Sequence, residues 1–157
     1  MADFILDEWL WADLANENGS DRQAETISLL YAIYEICDRI VLVRGSRFEE
    51  KTVAFWIHTD PNRRKFARFY QNAFRYNSSK TVLLEPDRLP ALPEDLSKDI
   101  ASDDHYLVQA QLAVSASAIV TTDEKLKAAC HVHGIASKDR NEFVRNYLSA
   151  YRSRGTQ

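Results

Sequence analysis

Cysteine is scarce in this chain. Only Cys37 and Cys130 occur among 157 residues, and neither sits in a C-x-x-C spacing. No thiolate zinc site or disulfide framework is therefore expected, and a reducing compartment is the default. Long apolar runs are missing as well. No stretch of about 18 apolar residues exists, so neither a transmembrane helix nor a membrane partner is expected. The opening residues, MADFILDEWL, are acidic and carry no basic segment, unlike a secretory signal. A cytoplasmic location is the resulting expectation. A global basic field is also lacking. The formal charge is −3, so bulk charge does not advertise nucleic-acid binding, although a local basic patch can coexist with an acidic site. Internal repeats and low-complexity segments are absent. What is present is one domain's length of chain, 1–157, with 45% hydrophobic residues, enough for an ordinary core.

Short apolar runs alternate with helical stretches. DFILD (Asp3–Asp7), RIVLVRG (Arg39–Gly45), KTVLLEP (Lys80–Pro86), Ala118–Val120 and GIAS (Gly134–Ser137) read as strands. Between them, helices are predicted over Glu8–Asn18, from Ser20 or Asp21 to about Cys37, over Phe48–His58, Asn62–Tyr76, Asp103–Ser115 and Asp123–His133. A last helix covers Arg140–Tyr151, and residues 152–157 form a frayed tail. On the second helix, Ile27, Leu30, Tyr31, Tyr34 and Cys37 fall at three- and four-residue steps and predict the buried face. Asp87–Lys98, with Pro90 and Pro93, reads as the most loop-like segment. Strands separated by helices imply βαβ units: an α/β fold with a mainly parallel sheet and helices on both faces. Ligands bind such sheets outside the carboxyl ends of the strands.

Acids collect at those ends. Asp7 and Glu8 follow the first strand. Glu49 and Glu50 follow the second. Asp103 and Asp104 open a helix, and Asp123 and Glu124 follow the fourth strand in SAIVTTDEKL. Each pair, alone, is accounted for by capping or by the helix dipole. Together they converge if the strands are neighbours. Two carboxylates about 4 Å apart repel by roughly 4 kcal/mol at an effective dielectric of 20. A cluster of them near neutral pH calls for a cation. Mg²⁺ or Mn²⁺ suits oxygen ligands and keeps waters for a substrate. Such a site suits phosphodiester hydrolysis.

Two stretches carry a family resemblance. ILDEWLW resembles the opening strand of PIN-domain nucleases, and SDDHYLVQAQLAVSASAIVTTDEKL resembles their C-terminal core. HGI near Gly134 fits the last short strand of that family. The resemblance spans about residues 2–150 and implies a three-layer α/β/α fold. It implies an Mg²⁺- or Mn²⁺-dependent endoribonuclease acting on single-stranded RNA, in many members the toxin of a toxin–antitoxin pair. An antitoxin protein and a second copy of the chain, as a homodimer, are the protein partners it allows. By this resemblance Asp7, Asp104 and Asp123 hold the metal, with Asp103 the alternative to Asp104. The family's second acid matches Glu50, with Glu49 the alternative. Thr121 would orient Asp123 or a water. Glu124 is either an outer acid or a helix-dipole residue. A catalytically silent PIN-like binding module is the competing reading.

NRRKFARFYQNAFRY (Asn62–Tyr76) interleaves Arg63, Arg64, Lys65 and Arg68 with aromatic residues. Cations on phosphates and aromatics on bases would suit single-stranded RNA. The same spacing suits an amphipathic helix that packs Phe66, Phe69 or Tyr70, and Ala73 and leaves a solvated basic face. Arg44 and Arg47 stand near Glu49 and Glu50, to contact a phosphate or to form surface ion pairs. CHVHG (Cys130–Gly134) is too compact to wrap a zinc ion and reads as structural.

Overall fold

The computed structural model describes residues 1–155. Strands form on the aliphatic and β-branched runs: β1 (Asp3–Leu6), β2 (Arg39–Val43), β3 (Thr81–Leu84), β4 (Ala118–Thr121) and β5 (Ser137–Asp139). They join in one parallel sheet of order β3-β2-β1-β4-β5. The helices are α1 (Trp9–Leu14), α2 (Ser20–Glu35), α3 (Arg47–Trp56), α4 (Pro61–Tyr70), α5 (Glu94–Asp99), α6 (His105–Val114), α7 (Glu124–Val132) and α8 (Arg140–Arg154). They cover both faces, so the expected three-layer α/β/α class is the one found.

Period-two alternation sorts the strand residues into two cores. Phe4, Leu6, Ile40, Leu42 and Val120 face one way, into a cluster with Leu10, Trp11, Leu30, Ile33, Phe48, Tyr70 and Phe143. Ile5, Val41, Val43 and Ile119 face the other way, against Leu96, Leu107, Val108, Leu126 and Cys130. The strand order runs outward from β1 in both directions. Successive connections lead first to β2 and β3, then to β4 and β5. The topological switch point therefore lies between β1 and β4, where a ligand crevice belongs.

Several predicted elements shift. α1 stops at Leu14 rather than Asn18, because the chain turns through Asn16 at φ +60°. The buried face of α2 is Thr26, Leu29, Leu30 and Ile33; Tyr31 and Tyr34 are exposed at its edge, and so is Cys37. Tyrosine rings tolerate such an edge because their hydroxyl stays wet. The predicted helix Asn62–Tyr76 divides into α4 and a π-helical turn, Gln71–Arg75. The wider turn offsets the register, so Ala67 and Tyr70 are buried before it and Ala73 and Phe74 within it. The proline segment is not all loop. Glu94 and Asp95 favour a helix start after Pro93, and Leu96 anchors α5 in the second core. Gly134, at φ +69°, turns the chain after α7, where the Ile135 N–H bonds to the Cys130 carbonyl. The last strand therefore begins at Ser137 and not at Gly134. α8 continues to Arg154, beyond the predicted end at Tyr151, while Thr156 and Gln157 of the predicted tail lie outside the described residues. Among the described residues no helix is long and apolar enough to cross a membrane.

Candidate metal centre

Asp7 leaves the carboxyl end of β1 at the switch point and is buried. Its backbone N–H still bonds to the Val120 carbonyl of β4 (3.1 Å). Its Oδ1 accepts from the Glu8 N–H (2.7 Å), and its Oδ2 accepts from the Thr121 hydroxyl (2.7 Å). Thr121, fully buried, in turn accepts from the Asp123 N–H (3.0 Å). One threonine thus ties the first strand's acid to the loop after β4.

Two more acids meet Asp7. One oxygen from each of Asp7, Glu8 and Asp104 lies within 4.8 Å of the others. Glu8 opens α1, where Trp9 locks the turn by donating its indole N–H to the Val120 carbonyl (2.8 Å). Asp104 ends the short 3₁₀ turn Ser102–Asp104 and stands at the head of α6. Burial pushes the Asp104 carboxyl up to about 6, and the charges of Asp7, Asp123 and Glu8 add to the rise. Asp7 is raised by burial against the lowering effect of the Thr121 hydrogen bond. Glu8 is raised by burial against the pull of Arg47. Tyr106 completes the wall. Its hydroxyl has no hydrogen-bond partner among the described residues, and burial, followed by the charges of Asp7, Glu8 and Asp104, pushes its pKa well up and keeps it protonated.

The other predicted site residues are placed as follows. Asp123 is exposed at the N-cap of α7, where Oδ1 accepts from the Lys125 and Leu126 N–H groups (2.9 and 3.1 Å). It is not one of the three convergent acids, but its charge raises both Asp7 and Asp104. Asp103 is exposed and pairs with Arg47 instead. Glu124 is exposed in the first turn of α7 and pairs with Lys127 at 2.8 Å. Neither Glu50 nor Glu49 joins the acid group. Glu50 is exposed on α3. Glu49 lies two residues past Arg47, about 200° around the helix, and pairs there with Arg75 at 2.7 Å.

Glu8 therefore stands where an acid from α3 was expected. Its signal was its adjacency to Asp7 at a strand end, before helical periodicity begins. α3 contributes Arg47, which contacts Glu8 at 3.2 Å. Gly45, at φ +70°, makes the turn from β2 that brings Arg47 there.

The basic residues separate into groups. Arg44 forms an exposed ion pair with Glu85 at 2.9 Å. Arg64 donates to the His58 and Thr59 carbonyls and closes the α3–α4 turn. Lys65 and Arg68 border a groove with Tyr34 and Phe69. Arg47 and Arg63 instead line a cleft that begins at Glu8. In CHVHG, Cys130 is buried and His133 pairs with Asp99 at 2.7 Å, as a structural reading expects.

The donors fit a hard cation. All three convergent groups are carboxylates, and each Asp7 oxygen that accepts one hydrogen bond retains a second lone-pair direction. The raised pKa of all three acids reflects burial first, with neighbouring carboxylates adding to it. No family model, curated protein or solved structure matches the chain.

Proposed function

We propose that the protein is a divalent-metal-dependent ribonuclease of the PIN type, with Asp7, Glu8 and Asp104 as ligands of Mg²⁺ or Mn²⁺. The observation that carries this reading is the convergence of three oxygens within 4.8 Å at the switch point of a parallel sheet. A bound cation supplies Lewis acidity toward a phosphodiester and a lowered pKa for an attacking water. The chain's own residues do the rest. Thr121 holds Asp7 in place through Oδ2. Asp123 adds negative charge at the rim, which strengthens cation uptake. Arg47, in contact with Glu8 and Asp103, is the cation assigned to a substrate phosphate.

The test is cleavage of single-stranded RNA. Wild-type protein cleaves with Mn²⁺ or Mg²⁺ and stops in EDTA, and the Asp7→Asn variant loses activity by about 100-fold or more. Undiminished cleavage by an Asp7→Asn, Asp104→Asn double variant overturns the reading.

One observation favours the catalytically silent alternative. Arg47 already compensates part of the acidic charge through Glu8 and Asp103. Calorimetry with Mn²⁺ separates the two: heat of binding that vanishes in Asp7→Asn supports the metal site, and no binding by wild type supports the silent module.

A further inference from the structure

We infer that the cleft between α1, α3 and α4 is a nucleotide subsite, which holds the phosphate and base adjoining the one presented to the acids. This rests on the ribonuclease reading and specifies where its substrate lies. The cleft has a volume of about 380 Å³ and includes both Glu8 and Arg47 in its lining, so it borders the acid group through Glu8. That volume is within the range of about 300–1,000 Å³ typical of small-ligand pockets.

Its cations are arranged for an anion. Arg47 and Lys51 sit four residues apart on α3 and share one face. Arg63, in the first turn of α4, closes the opposite side. Among the described residues Lys51 and Arg63 form no ion pair, whereas Arg39, Arg44 and Arg75 are each bound to a carboxylate. Glu8 and Glu17 line the same cleft, and Lys51 already acts on Glu8, so Arg47, Lys51 and Arg63 leave an excess of one positive charge, which favours a phosphate whatever the net charge of the chain. The Arg63 guanidinium lies 5.5 Å from the centre of the Phe55 ring. That contact holds its plane, leaving one face for a base to stack on and its N–H groups for a phosphate. His58 also lines the cleft. Its Nδ1 accepts from the Asp60 N–H (3.0 Å), which keeps the ring proton on Nε2 as a further donor.

The experiment measures binding without cleavage. A short fluorescein-labelled single-stranded oligoribonucleotide is titrated with protein in EDTA across a salt series, and followed by anisotropy. A Lys51→Ala, Arg63→Gln double variant is expected to bind roughly ten-fold more weakly, with the slope of log K against log salt reduced by about 1. Asp7→Asn, tested in the same EDTA buffer, is expected to bind at least as tightly as wild type. An oligodeoxyribonucleotide arm shows whether the contact is to phosphate alone or also to the 2′-hydroxyl. Equal loss with both strands supports a phosphate and stacking contact, and loss with RNA only supports a ribose contact in the same cleft. Affinity and salt slope unchanged in the double variant overturn the subsite, as does a wild type that binds neither strand. Circular dichroism confirms that the double variant is folded. Failure of the metal reading is detected separately, by absent Mn²⁺ uptake in wild type, a measurement that uses no nucleic acid.

Discussion

Thr121 touches both aspartates of the β1–β4 crevice. It donates to Asp7 Oδ2 and accepts from the Asp123 N–H. Valine matches its shape but can do neither. Thr121→Val is expected to lower Mn²⁺ affinity and RNA cleavage by about 10–100-fold, the usual cost of removing a group that orients a ligand. It also leaves a buried acceptor unpaired, at about 1–2 kcal/mol of stability. Thr121→Ser keeps both bonds and is expected to restore most of the Mn²⁺ affinity in calorimetry. A merely structural threonine would change stability without that selective loss. At this scale the sequence is informative only where the backbone rule is simple. Asp7 ends a strand, so its position at the sheet edge was legible. Glu8 was visible as an acid, but its direction depends on the turn that Trp9 locks, which no spacing encodes. Asp123 was legible as a cap and is one. Its distance from Asp7 depended on strand pairing.

Three helices are fastened together by one arginine. Arg140, the first residue of α8, is buried and donates to Asp13 of α1 (3.0 Å), to Glu25 of α2 (2.7 Å) and to Thr26 of α2 (3.0 Å). Its guanidinium also lies 5.5 Å from the Trp9 ring centre. Trp9 follows Glu8, so this network supports one wall of the acid group. Arg140→Met strands Asp13, which is fully buried, and is expected to cost about 3–5 kcal/mol in urea denaturation. Asn18, Thr26 and Arg22 also reach Asp13, which favours the lower end. An Asp13→Leu, Arg140→Met double variant is expected to recover only part of that loss, because Arg22, whose Nε pairs with Asp13 at 3.3 Å, then loses its carboxylate. The pairing joins residues 127 positions apart. No local periodicity announces it, and in sequence Arg140 marks only a helix start. The direction of the α3 acids depends on the same kind of packing. The resemblance implies Glu50, with Glu49 the alternative, but the helix leaves Glu50 exposed, turns Glu49 toward Arg75 and presents Arg47 and Lys51 to the cleft.

For the whole molecule, the acid group sets a pH dependence. Asp104 rises from its ordinary 3.8 to about 6 in the fold. Between those values the folded state holds more protons than the unfolded one. The contribution of Asp104 to stability therefore falls as pH rises through that window, and stays at its lower level above about pH 6. Asp7 and Glu8 are raised too and act with the same sign. In EDTA at pH 7, Asp104→Asn is expected to stabilise the protein by about 1 kcal/mol, after solvent screening of a half-exposed carboxyl is counted. At pH 4 the gain is expected to vanish. Thermal melts of wild type and variant at the two pH values check this, and an equal effect at both would exclude charge as the cause. Saturating Mn²⁺ should reverse the order at pH 7, because a ligand that binds only the folded wild type stabilises it by about 2.7 kcal/mol at 100 times its Kd.

Alternation of apolar runs with helical stretches was enough to determine the class: a parallel α/β sheet covered on both faces, with acids at its carboxyl edge. Those features follow from periods of 2.0 and 3.6 residues and from the covalent chain alone. The order β3-β2-β1-β4-β5 was decided by tertiary structure, because strand neighbours are chosen by packing and not by adjacency in sequence. That order puts β1 beside β4 and brings Asp7 to Thr121, 114 residues away. Which acids meet, and which cations remain unpaired beside them, was decided in the same way. A carboxylate's neighbours are set by how each helix rotates as it buries its apolar face, and that rotation is a property of the assembled core.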